Sequence, residues 1–203
     1  MPRTPLESDQ PSAGLTRRRA LLAAVGAIVA FAAYRGRGLL AADAPAPDAA
    51  PGDRWVWIVP VSAAGQPLEA QRVEKIIRTD EEWRAQLSSL AYRVTRHEGT
   101  ERAYSGAYWN LHDTGLYRCI CCDTALFSSA TKFDSRTGWP SFWEPLAAHN
   151  IVESADRSFG MIRTAVSCRR CDAHLGPVFD DGPRPTGLRY CINSVALKFV
   201  SIV

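Results

Sequence analysis

A mainly β domain, α+β by content, is the fold class predicted by this 203-residue chain, and three observations carry it. Only one stretch shows sustained helical spacing. Beyond Gly99, the chain is cut by Gly, Pro, Asp and Ser into short runs rich in β-branched and aromatic residues, such as Tyr117–Ile120, Ile162–Val166 and Ala196–Val203. Such runs read as antiparallel strands joined by long functional loops. Two C-x-x-C pairs lie far apart in this region, so strands must lie between them.

Bulk composition narrows the function classes. At 46 % apolar residues the chain is ordinary for a globular protein rather than a disordered one. Its 24 basic and 21 acidic residues leave a formal charge of +3, and the basic residues are scattered. That excludes a positive surface able to hold nucleic acid. The size fits one domain plus an appendage, and no internal repeat is evident.

Residues 1–44 read as an export signal or membrane anchor. A polar start ends in Thr16-Arg17-Arg18-Arg19, an apolar run follows from Ala20 to Tyr34, and Leu40-Ala41-Ala42-Asp43-Ala44 supplies small residues in an A-x-A pattern. The run is shorter than the roughly 20 residues of a spanning helix. The arginines before it suggest the twin-arginine route, which carries folded proteins. The expected location is therefore the bacterial periplasm, with membrane contact only through an uncleaved N-terminal segment. Residues 45–53 form a Pro/Ala linker, and the folded domain is expected over 54–203.

Within the domain, Trp55-Val56-Trp57-Ile58-Val59 is a β-rich run closed by Pro60, readable as an edge strand or a docking arm. Thr79-Asp80-Glu81-Glu82 is a capping box, and Trp83, Leu87 and Leu90 follow at helical spacing, so a helix is predicted over 80–94. Gly99 marks its exit.

Cys119-Ile120-Cys121-Cys122 and Cys168-Arg169-Arg170-Cys171 can each turn two sulfurs toward one point. Together Cys119, Cys122, Cys168 and Cys171 would complete a tetrahedron around one Zn2+ per chain, with no open position, hence a structural site. Two disulfides are the alternative in an exported protein. A thiol–disulfide oxidoreductase using Cys119 and Cys122 is another, and it fails if those thiolates hold zinc. Cys121 is the odd thiol of the first knuckle.

The sixth cysteine sits in Arg189-Tyr190-Cys191-Ile192-Asn193-Ser194. A lone strand cysteine is commonly a buried apolar residue. Here the two-residue alternation would put Arg189, Cys191 and Asn193 on one face, with Tyr190 and Ile192 toward the core. A guanidinium beside a thiol favours the nucleophilic thiolate, and an amide nearby can hold an oxygen-bearing species. Gly138-Trp139-Pro140-Ser141-Phe142-Trp143 reads as a rigid loop whose aromatics form either a recess for a small apolar group or ordinary core. His174 lies between the second knuckle and the nucleophile segment, as a structural or a functional histidine.

Taken together, Tyr92-Arg93-Val94-Thr95-Arg96, Gly99-Thr100-Glu101, Lys132-Phe133-Asp134-Ser135, Gly138-Trp139-Pro140-Ser141-Phe142, His174-Leu175-Gly176, Phe179-Asp180-Asp181-Gly182-Pro183 and the Cys191 segment resemble the B-type methionine sulfoxide reductases, from about Arg78 to Phe199. The resemblance implies two antiparallel sheets, β-tent-like, with the zinc at one end. It implies that Cys191 attacks the sulfur of methionine-R-sulfoxide in oxidised protein substrates. Trp139 would receive the S-methyl group, with Phe179 beside the substrate, and His174, Arg189 and Asn193 would shape and polarise the site. The resulting sulfenic acid must be cleared by a second thiol. Four positions depart from the family: Pro177 replaces a usual His, Arg136 a common Gly, Ala165 a usual Glu, and Thr137 stands where many members carry the resolving Cys. The resolving thiol is then Cys121 or, as we favour, an external thioredoxin-like or other thiol reductant. A non-catalytic zinc module binding peptides through the tryptophan recess is the competing function, to which loss of the histidine would point.

Overall fold

The computed structural model describes residues 54–156 and 163–202; the predicted signal and linker lie outside these residues, as does Ile162 of the run expected over 162–166. Among them, no helix is long and apolar enough to cross a membrane.

The chain enters through an antiparallel hairpin, β1 (Trp55–Ile58) and β2 (Gln71–Glu74), with Trp57 opposite Arg72. Alternation sorts β1 cleanly: Val56 and Ile58 are buried while Trp55 and Trp57 are exposed. Both readings of this run hold in part, since the strand is also a docking arm. Fully buried Asn150 fastens it: its Oδ1 accepts from Val59 N at 2.8 Å, and its Nδ2 donates to Val59 O at 2.8 Å and to Ala125 O at 2.7 Å.

The single helix expected over 80–94 is two, α1 (Asp80–Gln86) and α2 (Ser89–Arg96). The capping box forms as predicted, with Glu82 N donating to Thr79 Oγ1 and Thr79 N donating to the Glu82 carboxylate. A second cap follows that the hydrophobic spacing does not reveal. Ser88 is extended and accepts from Ala91 N, and Leu87 is extended too, so the first helix stops and another starts. Trp83, Leu87, Ala91 and Val94 still reach one core despite the break.

Two principal sheets follow. The smaller has order β11 (Leu197–Ser201), β3 (Gly115–Cys119), β4 (Ala125–Ser128). The larger has order β5 (Lys132–Phe133), β6 (Ser141–Phe142), β10 (Arg189–Cys191), β9 (His174–Phe179), β8 (Arg163–Cys168), β7 (Ile151–Asp156). All described pairings are antiparallel. Their aromatic residues interlock: Phe142 of the larger sheet stacks on Phe127 of the smaller at 4.5 Å and meets Tyr117 edge-on at 4.9 Å. Leu126, Leu175 and Ile192 are fully buried in the same core. Each such side chain contributes about 1.5–3 kcal/mol of burial. The core thus braces β6 and β10, the strands that carry Ser141 and Cys191.

Candidate active site and metal centre

Two knuckles of the same backbone design build the metal centre. In the first, Cys119 ends β3, Asp123 N donates back to Cys119 O at 2.9 Å, and Asp123 takes φ 59°. In the second, Cys168 ends β8, Asp172 N donates to Cys168 O at 2.9 Å, and Asp172 takes φ 55°. Asp tolerates this left-handed conformation better than most residues. Each turn brings its first and fourth residues together. The sulfurs of Cys119, Cys122, Cys168 and Cys171 all lie within 4.8 Å of one another. Cys119 Sγ is 3.7 Å from Cys171 Sγ, and Cys122 Sγ is 3.5 Å from Cys168 Sγ. A tetrahedral thiolate site with metal–sulfur bonds of about 2.3 Å has sulfur–sulfur edges of about 3.8 Å. The donor set fits a metal ion. All four cysteines are free thiols at separations far beyond the roughly 2.05 Å of a disulfide, so the disulfide alternative does not describe this structure.

The surroundings tie down both knuckles. Ile76 N donates to Arg170 O at 2.7 Å, Arg96 Nη1 to Cys171 O at 2.8 Å and Gln86 Nε2 to Cys121 O at 2.8 Å. Lys75 pairs with Asp172 at 2.9 Å. Cys121 is buried, with Cys119, Cys171 and Thr95 as its neighbours. Its surroundings are those of the metal cluster.

Cys191 lies at the end of β10, opposite Ser141 of β6. Tyr190 faces inward as expected and donates to Glu153 at 2.7 Å, and Ile192 is fully buried. Arg189 pairs with Phe179 in register, lies over its ring at 4.3 Å and grips Asp181 through two 2.8 Å hydrogen bonds. The bidentate grip fixes the guanidinium plane and holds the Asp181 carboxyl below its ordinary pKa. Burial pushes the Cys191 thiol up; the charge of Arg189 and hydrogen bonds from Thr137 and Arg189 pull it down, and burial prevails. Arg189 therefore acts in the expected direction, against the larger effect of burial.

Asn193 departs from the predicted alternation. β10 ends at Cys191, and Asn193 opens the short turn Ser194–Ala196. Its Oδ1 accepts from Glu101 N and its Nδ2 donates to Leu175 O, both at 2.9 Å. A buried amide so engaged fixes the backbone that follows Cys191. His174 opens β9 directly after the second knuckle, half-buried, in register with Ser167. Extending the β9–β10 register by one residue sets Pro177 across from Cys191. A side chain at Gly176 would come within 2.1 Å of Cys191 O, so glycine is required there.

Trp139 is half-buried, and its Nε1 donates to Glu101 O at 3.2 Å. Gly138 before it takes φ 88°, and a Cβ there would stand 2.7 Å from Tyr104 N. Arg136, in place of the common Gly, adopts φ 58° and is held by its N–H to Asp134 Oδ1 at 2.9 Å.

Two residues that bear on the candidate site escape sequence reasoning. Glu101 is 2 % exposed, yet its carboxylate accepts from Ser194 N at 2.7 Å and Val195 N at 3.0 Å. It joins the tryptophan to the segment after Cys191. A lone acid in a loop carries no local signal of such a role. Thr137 figures in the sequence only as a missing cysteine, although its hydroxyl favours the Cys191 thiolate.

Comparison with known proteins adds a family. The SelR domain matches residues 87–201. The chain is 59 % identical over 126 residues to a peptide methionine sulfoxide reductase MsrB of Herminiimonas arsenicoxydans, covering 62 % of this chain and 92 % of the relative. It is 58 % identical over 127 residues to one of Pseudomonas putida, covering 63 % and 96 %. It is 60 % identical over 121 residues to the chloroplastic peptide methionine sulfoxide reductase B1 of Oryza sativa, covering 59 % and 56 %.

Proposed function

The chain belongs to the SelR-domain family, and from that premise we propose that Cys191 is the nucleophile with which it reduces oxidised methionine. The protein is a peptide-methionine (R)-S-oxide reductase: it returns methionine-R-sulfoxide in proteins to methionine, a repair reaction that draws on a thiol reductant. The peptide-binding module without catalysis is not favoured, because relatives at this identity are reductases by name.

The observation that carries the assignment is Cys191 beside Arg189, Thr137 and the Trp139 loop. The Cys191 sulfur attacks the sulfoxide sulfur, and the thiol proton goes to the sulfoxide oxygen. Thiol plus sulfoxide gives sulfenic acid plus thioether: Cys191 loses two electrons and the substrate gains them. A second thiol then attacks the sulfenic sulfur, releasing water and leaving a disulfide. Trp139 takes the methyl group, with Phe179 under Arg189 as the adjoining wall. Arg189 and His174 polarise the oxygen, and Asn193 acts as a positioning residue through Glu101 and Leu175. The reductant is external: the neighbours of Cys121 belong to the metal cluster, whereas those of Cys191 are Arg189, Thr137 and Asp181. Zn2+ is the metal read for the four thiolates, where it would hold the two knuckles together. The N-terminal arginines and apolar run support export to the periplasm.

Incubation with each epimer of methionine sulfoxide and dithiothreitol tests the reading. The R epimer is consumed and the S epimer is not, and Cys191→Ser abolishes turnover while keeping its metal. Turnover above a few per cent in Cys191→Ser would move the chemistry to another residue.

A further inference from the structure

Thr137 cannot form a disulfide, but its hydroxyl heads a chain of hydroxyls that leads to Ser141, the residue opposite Cys191. Thr137 Oγ1 is 2.8 Å from Ser135 Oγ, Ser135 Oγ is 2.7 Å from Ser141 Oγ, and Ser141 Oγ donates to Trp139 O at 3.2 Å. Ser141 is fully buried and is the residue opposite Cys191 across β6–β10. Paired residues of neighbouring strands project to the same face, so the chain lies beside the sulfur.

Proton counting gives the chain a direction. A carbonyl only accepts, so Ser141 donates to Trp139 O, Ser135 donates to Ser141 and Thr137 donates to Ser135. The Thr137 oxygen then has a lone pair free for the S–H of a thiol. Once that proton leaves, three hydroxyl rotations reverse the chain: Ser141 donates to Ser135, Ser135 to Thr137, and Thr137 to the sulfur. The Trp139 carbonyl gives up one bond, and no heavy atom moves.

We propose that Thr137, backed by the positioning residues Ser135 and Ser141, is a reversible hydrogen-bond partner of Cys191, accepting from its thiol and donating to its thiolate and sulfenate. This rests on Cys191 as the nucleophile. The chain supplies what burial withholds, a donor that appears only when the sulfur is charged, at a site where Arg189 is already engaged by Asp181. The charged groups facing Cys191 are Arg189 from its own strand and Asp181 beyond β9; His174 heads β9, and β6 brings the Ser141 hydroxyl. The hydrogen bond from Thr137 favours the thiolate, as Arg189 does, against the effect of burial.

The test is the pH profile of Cys191 alkylation by iodoacetamide, read by peptide mapping on the full metal-loaded chain. Thr137→Val raises the midpoint by about one unit, about tenfold less thiolate at neutral pH. Thr137→Ser restores the original profile, and Ser135→Ala shifts it upward by less. An unchanged midpoint in Thr137→Val, a Thr137→Ser profile matching that of Thr137→Val, or an unmoved midpoint in Ser135→Ala overturns the chain. Alkylation needs no sulfoxide, so these outcomes are independent of turnover. A shifted midpoint in a protein whose Cys191→Ser variant still reduces sulfoxide would sink the nucleophile assignment alone.

Discussion

Glu101 shows how one buried acid can organise several segments around Cys191. Its carboxylate accepts from Ser194 N and Val195 N, its N–H donates to Asn193 and its carbonyl accepts from Trp139. Trp139, the proposed methyl recess, and the segment following Cys191 are therefore referenced to one residue. Glu101→Ala leaves two N–H groups without their acceptor, at about 1–3 kcal/mol each where buried. At this chain length each kcal/mol lowers the melting temperature by about 2–4 °C. Glu101→Gln keeps one side-chain carbonyl acceptor, so its melting temperature falls between those of wild type and Glu101→Ala. Scanning calorimetry giving Glu101→Ala the wild-type value would show that this acid is not the organiser. Arg189 is organised differently, by an exposed partner: Asp181 fixes its plane while Phe179 supports its face.

The knuckles and the helix break are decisions made by single elements. Both knuckles are C-x-x-C-D, and in both the aspartate takes the left-handed turn that returns the chain to its next strand. Because the first joins β3 to β4 and the second joins β8 to β9, the cluster ties the smaller sheet to the larger one. Cys168→Ser, at a fully buried position, is expected to lose metal and fold together, since binding and folding are coupled in such sites. Elemental analysis paired with circular dichroism checks it; a metal-free variant melting like wild type would refute the structural role. Between α1 and α2, Leu87 ends one helix and Ser88 starts the next. The hydrophobic spacing that predicted one long helix survives because both segments present their apolar residues to the same core.

Across the whole molecule, the repair domain over 87–201 carries additions at its N-terminal side. The β1–β2 arm is fastened by Asn150, and the sequence before it is the export address proposed above. If the twin-arginine route is used, Arg17→Lys with Arg18→Lys stops periplasmic accumulation in cell fractionation; unchanged accumulation would reject the route. The sequence by itself determined the fold class, the clustering of Cys119, Cys122, Cys168 and Cys171, the first helix cap and the arm strand. Each depends on residue type and short-range spacing, which local geometry converts directly into structure. Only the tertiary structure decided that Ser141 lies opposite Cys191, that Glu101 spans to Ser194 and Trp139, that Asn193 leaves the strand, and that burial outweighs Arg189 at the Cys191 thiol. These contacts join residues far apart along the chain. Register, strand ends and desolvation arise from the packing of both sheets at once, so no local pattern of residues encodes them.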